Sequence, residues 1–149
     1  MEFFMQKLIK TNPTLAPLVL RVPIGIIFMA HGAQKLFDWF AGYGADVTGQ
    51  WVDSVGLVTG FFMALLAGSS EFLGGLLILV GLAVRPTAAI LAFTTLVAII
   101  PIHSNNSLFM SNNGYEFGLS LLAASLSLMI SGAGRLSIDQ LTNKQRLNR

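Results

Sequence analysis

The sequence predicts an all-α protein, a membrane-spanning four-helix bundle with both termini on the cytoplasmic side (N-in/C-in), forming a single domain over residues 1–149. Three observations carry this: the composition, four long apolar runs, and the placement of the few charges. Hydrophobic residues make up 54% of the 149 and charged residues only 11%, with a mean hydropathy of +0.70. A soluble domain carries about 25% charged residues. Only helices and closed barrels satisfy every backbone polar group in hydrocarbon, and continuous apolar runs without alternation suit helices.

Taken in order, the first span covers about residues 13–37, where Pro13 and Pro17 are tolerable near a helix start. The second covers about 60–84. The third covers 86–103 and opens on Pro86, well placed as a first helical residue. The fourth covers 115–131 and stops at the Gly132/Gly134 pair. A crossing of about 30 Å takes roughly 20 residues, so spans three and four are short and imply tilt or local thinning. The 84–86 connection makes spans two and three antiparallel neighbours. Between spans one and two, Val47, Trp51 and Val55 recur every four residues and predict a short surface helix over 46–58. The Asn-rich 103–114 stretch reads as an outer loop, and residues 132–149 as a juxtamembrane tail. Lys7 and Lys10 before an apolar run invite a signal-peptide reading. Arg21 interrupts that run and no small-residue cleavage site stands out, so the first helix is read as retained.

The charges orient the bundle. Lys7, Lys10, Arg21, Arg85, Arg135, Lys144, Arg146 and Arg149 fall on one side and Lys35 alone on the other, while Asp38, Asp46 and Asp53 occupy an outer connection without cations. The positive-inside rule places both termini in the cytoplasm. The basic balance therefore reflects topology rather than a nucleic-acid partner; the partner implied is the lipid bilayer.

Ionisable residues inside apolar spans are expensive and mark candidate sites. Arg21, Gly25, Phe28, Gly32 and Lys35 share one face of span one, and Gly68, Glu71, Gly75, Ile78, Leu82 and Arg85 share one face of span two. The glycines Gly25, Gly32, Gly68 and Gly75 predict close helix packing. At about 1.5 Å per residue, Lys35 stands roughly 21 Å above Arg21 and Glu71 roughly 21 Å above Arg85, so antiparallel spans bring Lys35 and Glu71 level in the outer half. Lys35 then either pairs with Glu71 or snorkels to headgroups. His31 lies one turn deeper. His103 and Glu116 flank the outer loop at a similar level, and Glu116, three residues after Asn113, also fits a capping box. Arg21, Arg85 and Arg135 read as inner-end polar or structural anchors, and Ser137 with Gln140 as a capping box opening a tail helix.

Cysteine is absent, which excludes iron–sulfur ligation and any thiol relay within this chain. His31 and His103 differ in depth by roughly 10 Å, which argues against bis-His haem, and no spacing suggests a metal site. The Arg21-x3-Gly25 and His31-Gly32-x2-Lys35 patterns, Glu71-x2-Gly74-Gly75, Gly81-Leu82-x2-Arg85 and the tail run from Gly132 to Asp139 together resemble the DoxX family of small four-helix membrane proteins, over about residues 15–140. That resemblance implies a redox-linked membrane protein, related to membrane subunits of a thiosulfate:quinone oxidoreductase, with Arg21, Lys35, Glu71 and Arg85 at the family's characteristic polar positions. It also admits a maturation or assembly factor.

Three functions follow as expectations. The first is an oxidoreductase module with a quinone or sulfur-compound site, where Lys35 polarises a carbonyl or anion, Glu71 serves as counter-ion and proton acceptor, and His31 or His103 passes protons. The second is a non-enzymatic assembly subunit, partnered by a larger oxidoreductase or by further copies of the chain. The third is a small transporter or channel, for which the inverted repeats and broken helices of secondary transporters are missing.

Overall fold

The computed structural model describes residues 14–56, 59–103, 108–112 and 114–147, without the side chains of 101–103, 110 and 145–147. Within them the chain is all helical: α1 (Ala16–Phe37), α2 (Gly44–Ser54), α3 (Gly60–Val80), α4 (Val84–His103), α5 (Glu116–Ser131) and α6 (Ile138–Leu147), with 3₁₀ turns at Trp39–Ala41 and Met110–Asn112. Helices α1 and α3 are long and apolar enough to cross a membrane; α4, over Val84–Ile100, and α5 are shorter apolar helices. Helix α1 packs along α3, α4 along both α3 and α5, and α5 reaches α1.

The α1–α3 contact is a glycine seam. A Cβ at Gly25 would lie 2.8 Å from the Gly75 carbonyl oxygen, and one at Gly32 2.7 Å from that of Gly68. No side chain fits between backbones this close, which is how small residues at helical spacing bring two helices together without a hydrophobic drive. Around the seam, Ile24 and Phe28 of α1, Ile78 of α3, Ala88 and Leu91 of α4, and Leu121 and Leu128 of α5 form one buried cluster, closed at one end by Ala133.

Several boundaries differ from the sequence expectation. Span one begins at Ala16, and Pro13 lies outside the described residues. Span two ends at Val80, not 84: Gly81 takes a left-handed φ of 74° and the Leu82 N–H donates back to the Leu77 carbonyl at 3.0 Å, a glycine-terminated stop. The predicted stripe through Leu82 to Arg85 therefore does not exist on one helix, because Arg85 belongs to α4. That helix opens at Val84, two residues before Pro86. The surface helix runs over Gly44–Ser54 and is held to α3 by Asp53, whose carboxylate accepts the Gly60 N–H at 2.7 Å. Helix α5 starts at Glu116 itself, so Glu116 is not the third residue of a capping box, and Asn113 lies outside the described residues. The tail capping residue does act: Ser137 Oγ accepts the Gln140 N–H at 3.1 Å and opens α6.

Candidate functional site

The glycine seam determines what meets at each end of α1. Toward its C-terminal end, Gly32 against Gly68 brings the next turns into register, and Lys35 Nζ donates to Glu71 Oε2 in an ion pair. The two partners are unequally covered: the Glu71 side chain is 9% exposed and the Lys35 side chain 31%. A buried carboxylate held by a half-buried ammonium remains within reach of a polar ligand without losing its counter-charge.

A cavity of about 210 Å³ opens beside this pair. Lys35, Glu71, His31 and Thr95 form its polar wall, and Phe28, Phe117 and Leu121 are among its apolar walls. The His31 ring packs against Phe117 with centroids 5.5 Å apart and planes at 57°. Gly118 of α5 also lines the space; a Cβ there would lie 2.9 Å from the Ile99 side chain. A second, larger cavity of about 530 Å³ shares His31 and Lys35 with the first. His31 and Lys35 line it together with Gln34, Tyr43, Val47 and Trp51, so α2 and the Trp39–Ala41 turn wall it from outside. Gln34 is fixed by its Nε2 donating to the Phe40 carbonyl at 3.1 Å. His31 and Lys35 thus separate an aromatic vestibule from the interhelical cavity.

Of the residues predicted for this site, Lys35, Glu71 and His31 converge. Glu116 sits at the start of α5 outside either lining, its N–H donating to the Leu108 carbonyl at 3.0 Å. The His103 side chain lies outside the described residues. No group of three or more metal-ligating side chains occurs among the described residues.

The other end of α1 holds a polar knot whose partners the sequence reading missed. Arg21 is 2% exposed and its guanidinium donates to the Leu136 carbonyl. Asp139, also buried, accepts the N–H groups of Ala83 at 2.8 Å and Val84 at 3.0 Å, capping α4 from the tail. Its own N–H donates to the Gly81 carbonyl at 2.9 Å, and the Arg135 N–H donates to the Thr14 carbonyl at 2.9 Å. Burial pushes the Asp139 carboxyl above its ordinary range, while the two backbone donors and the Arg21 charge pull it back. Arg85 turns to the end of α5, donating to the Met129 carbonyl at 3.2 Å. Glycine at 81 is required twice over, by its positive φ and because a Cβ would lie 2.5 Å from that of Ser137. The available signal was the run from Gly132 to Asp139, whose closely spaced glycines and capping serine mark a built turn rather than a loose tail.

The chain is 36% identical over 131 residues to "Putative oxidoreductase CatD" of Bacillus subtilis (strain 168), covering 88% of this chain and 90% of that protein. It is 37% identical over 128 residues to "Inner membrane protein YqjF" of Escherichia coli (strain K12), covering 86% and 92%. "Inner membrane protein YphA" of the same organism is 28% identical over 128 residues, covering 83% and 87%. No solved structure matches. The family model DoxX matches residues 16–104, from the start of α1 to the end of α4. The chain belongs to the DoxX family of membrane proteins.

Proposed function

We propose that the chain is an inner-membrane protein in which α1, α3, α4 and α5 all cross the bilayer, with both termini cytoplasmic, and that it serves as a redox-associated module binding a small quinone-class ring in the outer half of the bundle. The observation that carries this reading is the convergence of Lys35, Glu71 and His31 on an interhelical cavity whose remaining lining, Thr95 apart, is apolar or glycine. The Thr14–Arg135 hydrogen bond supports an even number of crossings, because it joins the start of α1 to the tail. The cation distribution supports the cytoplasmic assignment of that end.

The donors present suit such a ring. A quinone offers two carbonyl acceptors on a flat apolar body; Lys35 supplies an ammonium donor, His31 an imidazole, and Phe28 and Phe117 apolar walls. Bound there, a quinone would supply two-electron, two-proton chemistry. The chain's residues orient it, with Lys35 paired to Glu71, and place Glu71 or His31 where a proton can be passed. Electrons come from a partner oxidoreductase, since the chain carries no cysteine relay. The name of the Bacillus relative is in keeping with this theme.

The test is extraction in mild detergent, assay of copurified quinone, and membrane quinol and thiosulfate oxidation in a Glu71→Gln strain. The expected result is quinone retained by the natural protein and lost with E71Q, with oxidation reduced. If no quinone copurifies and E71Q leaves both oxidations unchanged, the reading fails. Function surviving a neutral K35M/E71L pair would instead assign the ion pair to helix register and the protein to assembly of a membrane complex.

A further inference from the structure

We infer that the outer surface of the tail turn and α6 is a binding site for one anionic phospholipid, its headgroup held by Arg135 and Lys144 and one acyl chain laid along α3. A cavity of about 320 Å³ opens there, lined by Arg135, Lys144, Gln140, Leu136, Leu141 and Val80, among others. Gln140, Leu141 and Lys144 fall within one turn of α6 at spacings of one, three and four, which puts an amide, an alkyl group and an ammonium on one face. The cations and the amide can donate to a phosphodiester.

The apolar part of the same surface fits the tail of that ligand. Leu136 is 77% exposed and Leu141 63%. Leu136 also holds a left-handed φ of 57°, an arrangement costly for a branched residue. Loose chain does not explain it, because the Leu136 carbonyl is bound by Arg21 and its neighbours are pinned through Arg135 to Thr14 and through Asp139 to Gly81. The turn is built to present a leucine outward beside two cations. From this cavity, Val80, Leu76 and Leu73 continue along α3 as exposed residues at spacings of four and three, one apolar stripe about 10 Å long. A cationic pocket at the foot of an apolar, membrane-length helix has the charge and shape complementarity of a phospholipid with a negative headgroup, and a zwitterionic one would place its own cation against Arg135 and Lys144.

The experiment uses the full chain in mild detergent, titrated with phosphatidylglycerol or phosphatidylcholine of matched acyl chains and read by native mass spectrometry. About fivefold per cation near a surface predicts a preference of roughly 25-fold for phosphatidylglycerol. The variant Arg135→Gln with Lys144→Gln should abolish that preference, whereas Arg135→Lys with Lys144→Arg should keep most of it; both positions are exposed, so the fold tolerates the changes. Leu136→Ser with Leu141→Ser should weaken both lipids. Equal retention of the two lipids, an undiminished preference in R135Q/K144Q, or displacement of the lipid by inorganic phosphate at equal concentration would each overturn the inference.

Discussion

Removing Lys35 should cost more than removing Glu71, although the two belong to one ion pair. The asymmetry comes from their burial. Lys35→Met leaves a carboxylate whose side chain is only 9% exposed, and breaking a buried pair in this way costs about 3 kcal/mol. Glu71→Gln leaves an ammonium 31% exposed on a flexible stem, which turns toward the vestibule and solvent at a cost of about 1 kcal/mol. The K35M/E71L double variant removes both charges and fills the space with apolar groups, so it should fall within about 1 kcal/mol of the natural protein or above it. The assay is equilibrium unfolding in mixed micelles by increasing denaturing detergent, combined as a double-mutant cycle. A K35M penalty no larger than that of E71Q would refute the burial argument. A double variant as damaged as the sum of the singles would refute the pairing itself.

Further outcomes follow from the seam and the knot. Gly32→Ala drives a methyl against the Gly68 carbonyl, a backbone atom that cannot yield, and should destabilise by about 1–3 kcal/mol in the same assay. Gly118→Ala meets only the Ile99 side chain and should cost clearly less, while shrinking the interhelical cavity. Asp139→Ala strips the Ala83 and Val84 N–H groups of their acceptor and Arg21 of its countercharge; a loss of about 2–4 kcal/mol and faster proteolysis within the tail are expected. Asp53→Ala removes the tie between α2 and Gly60 and should raise hydrogen exchange in α2 while leaving α4 and α5 unchanged.

The helices were legible because each is encoded locally. Apolar runs announce α1, α3, α4 and α5, and Ser137 announces the start of α6 through its own hydroxyl. The meeting of Lys35 and Glu71 was legible for a subtler reason. The spacing from Glu71 through Leu82 to Arg85 is no measure of depth, because Gly81 breaks that helix. The pairing stands nonetheless because Gly32 and Gly68 set the register of α1 on α3 a single turn away from Lys35 and Glu71. What sequence spacing did not reveal was long-range: Asp139 caps a helix 55 residues earlier, and Arg21 finds a carbonyl 115 residues away. Such contacts leave no periodic signature, since each partner is a single residue facing a backbone group.

The seam also accounts for where the cavity lies. Gly25 against Gly75 and Gly32 against Gly68 bring α1 hard onto α3, whereas α5 meets α1 through few contacts. At the N-terminal end of α1, Ala133 joins the buried cluster and the knot around Arg21 and Asp139 ties the tail to the helices. Toward the other end the cavity is bounded on α5 by Phe117 and Gly118, and the polar residues that α1 and α3 turn toward it are His31, Lys35 and Glu71. Close packing on one side therefore leaves room on the other, and the polar residues occupy that room. A substitution that loosens the seam without touching any charge, such as Gly25→Val, should consequently shift α1 away from α3 and separate Lys35 from Glu71. Cysteine pairs introduced across α1 and α3 would then crosslink more slowly in the variant, and an unchanged rate would disconnect the seam from the site.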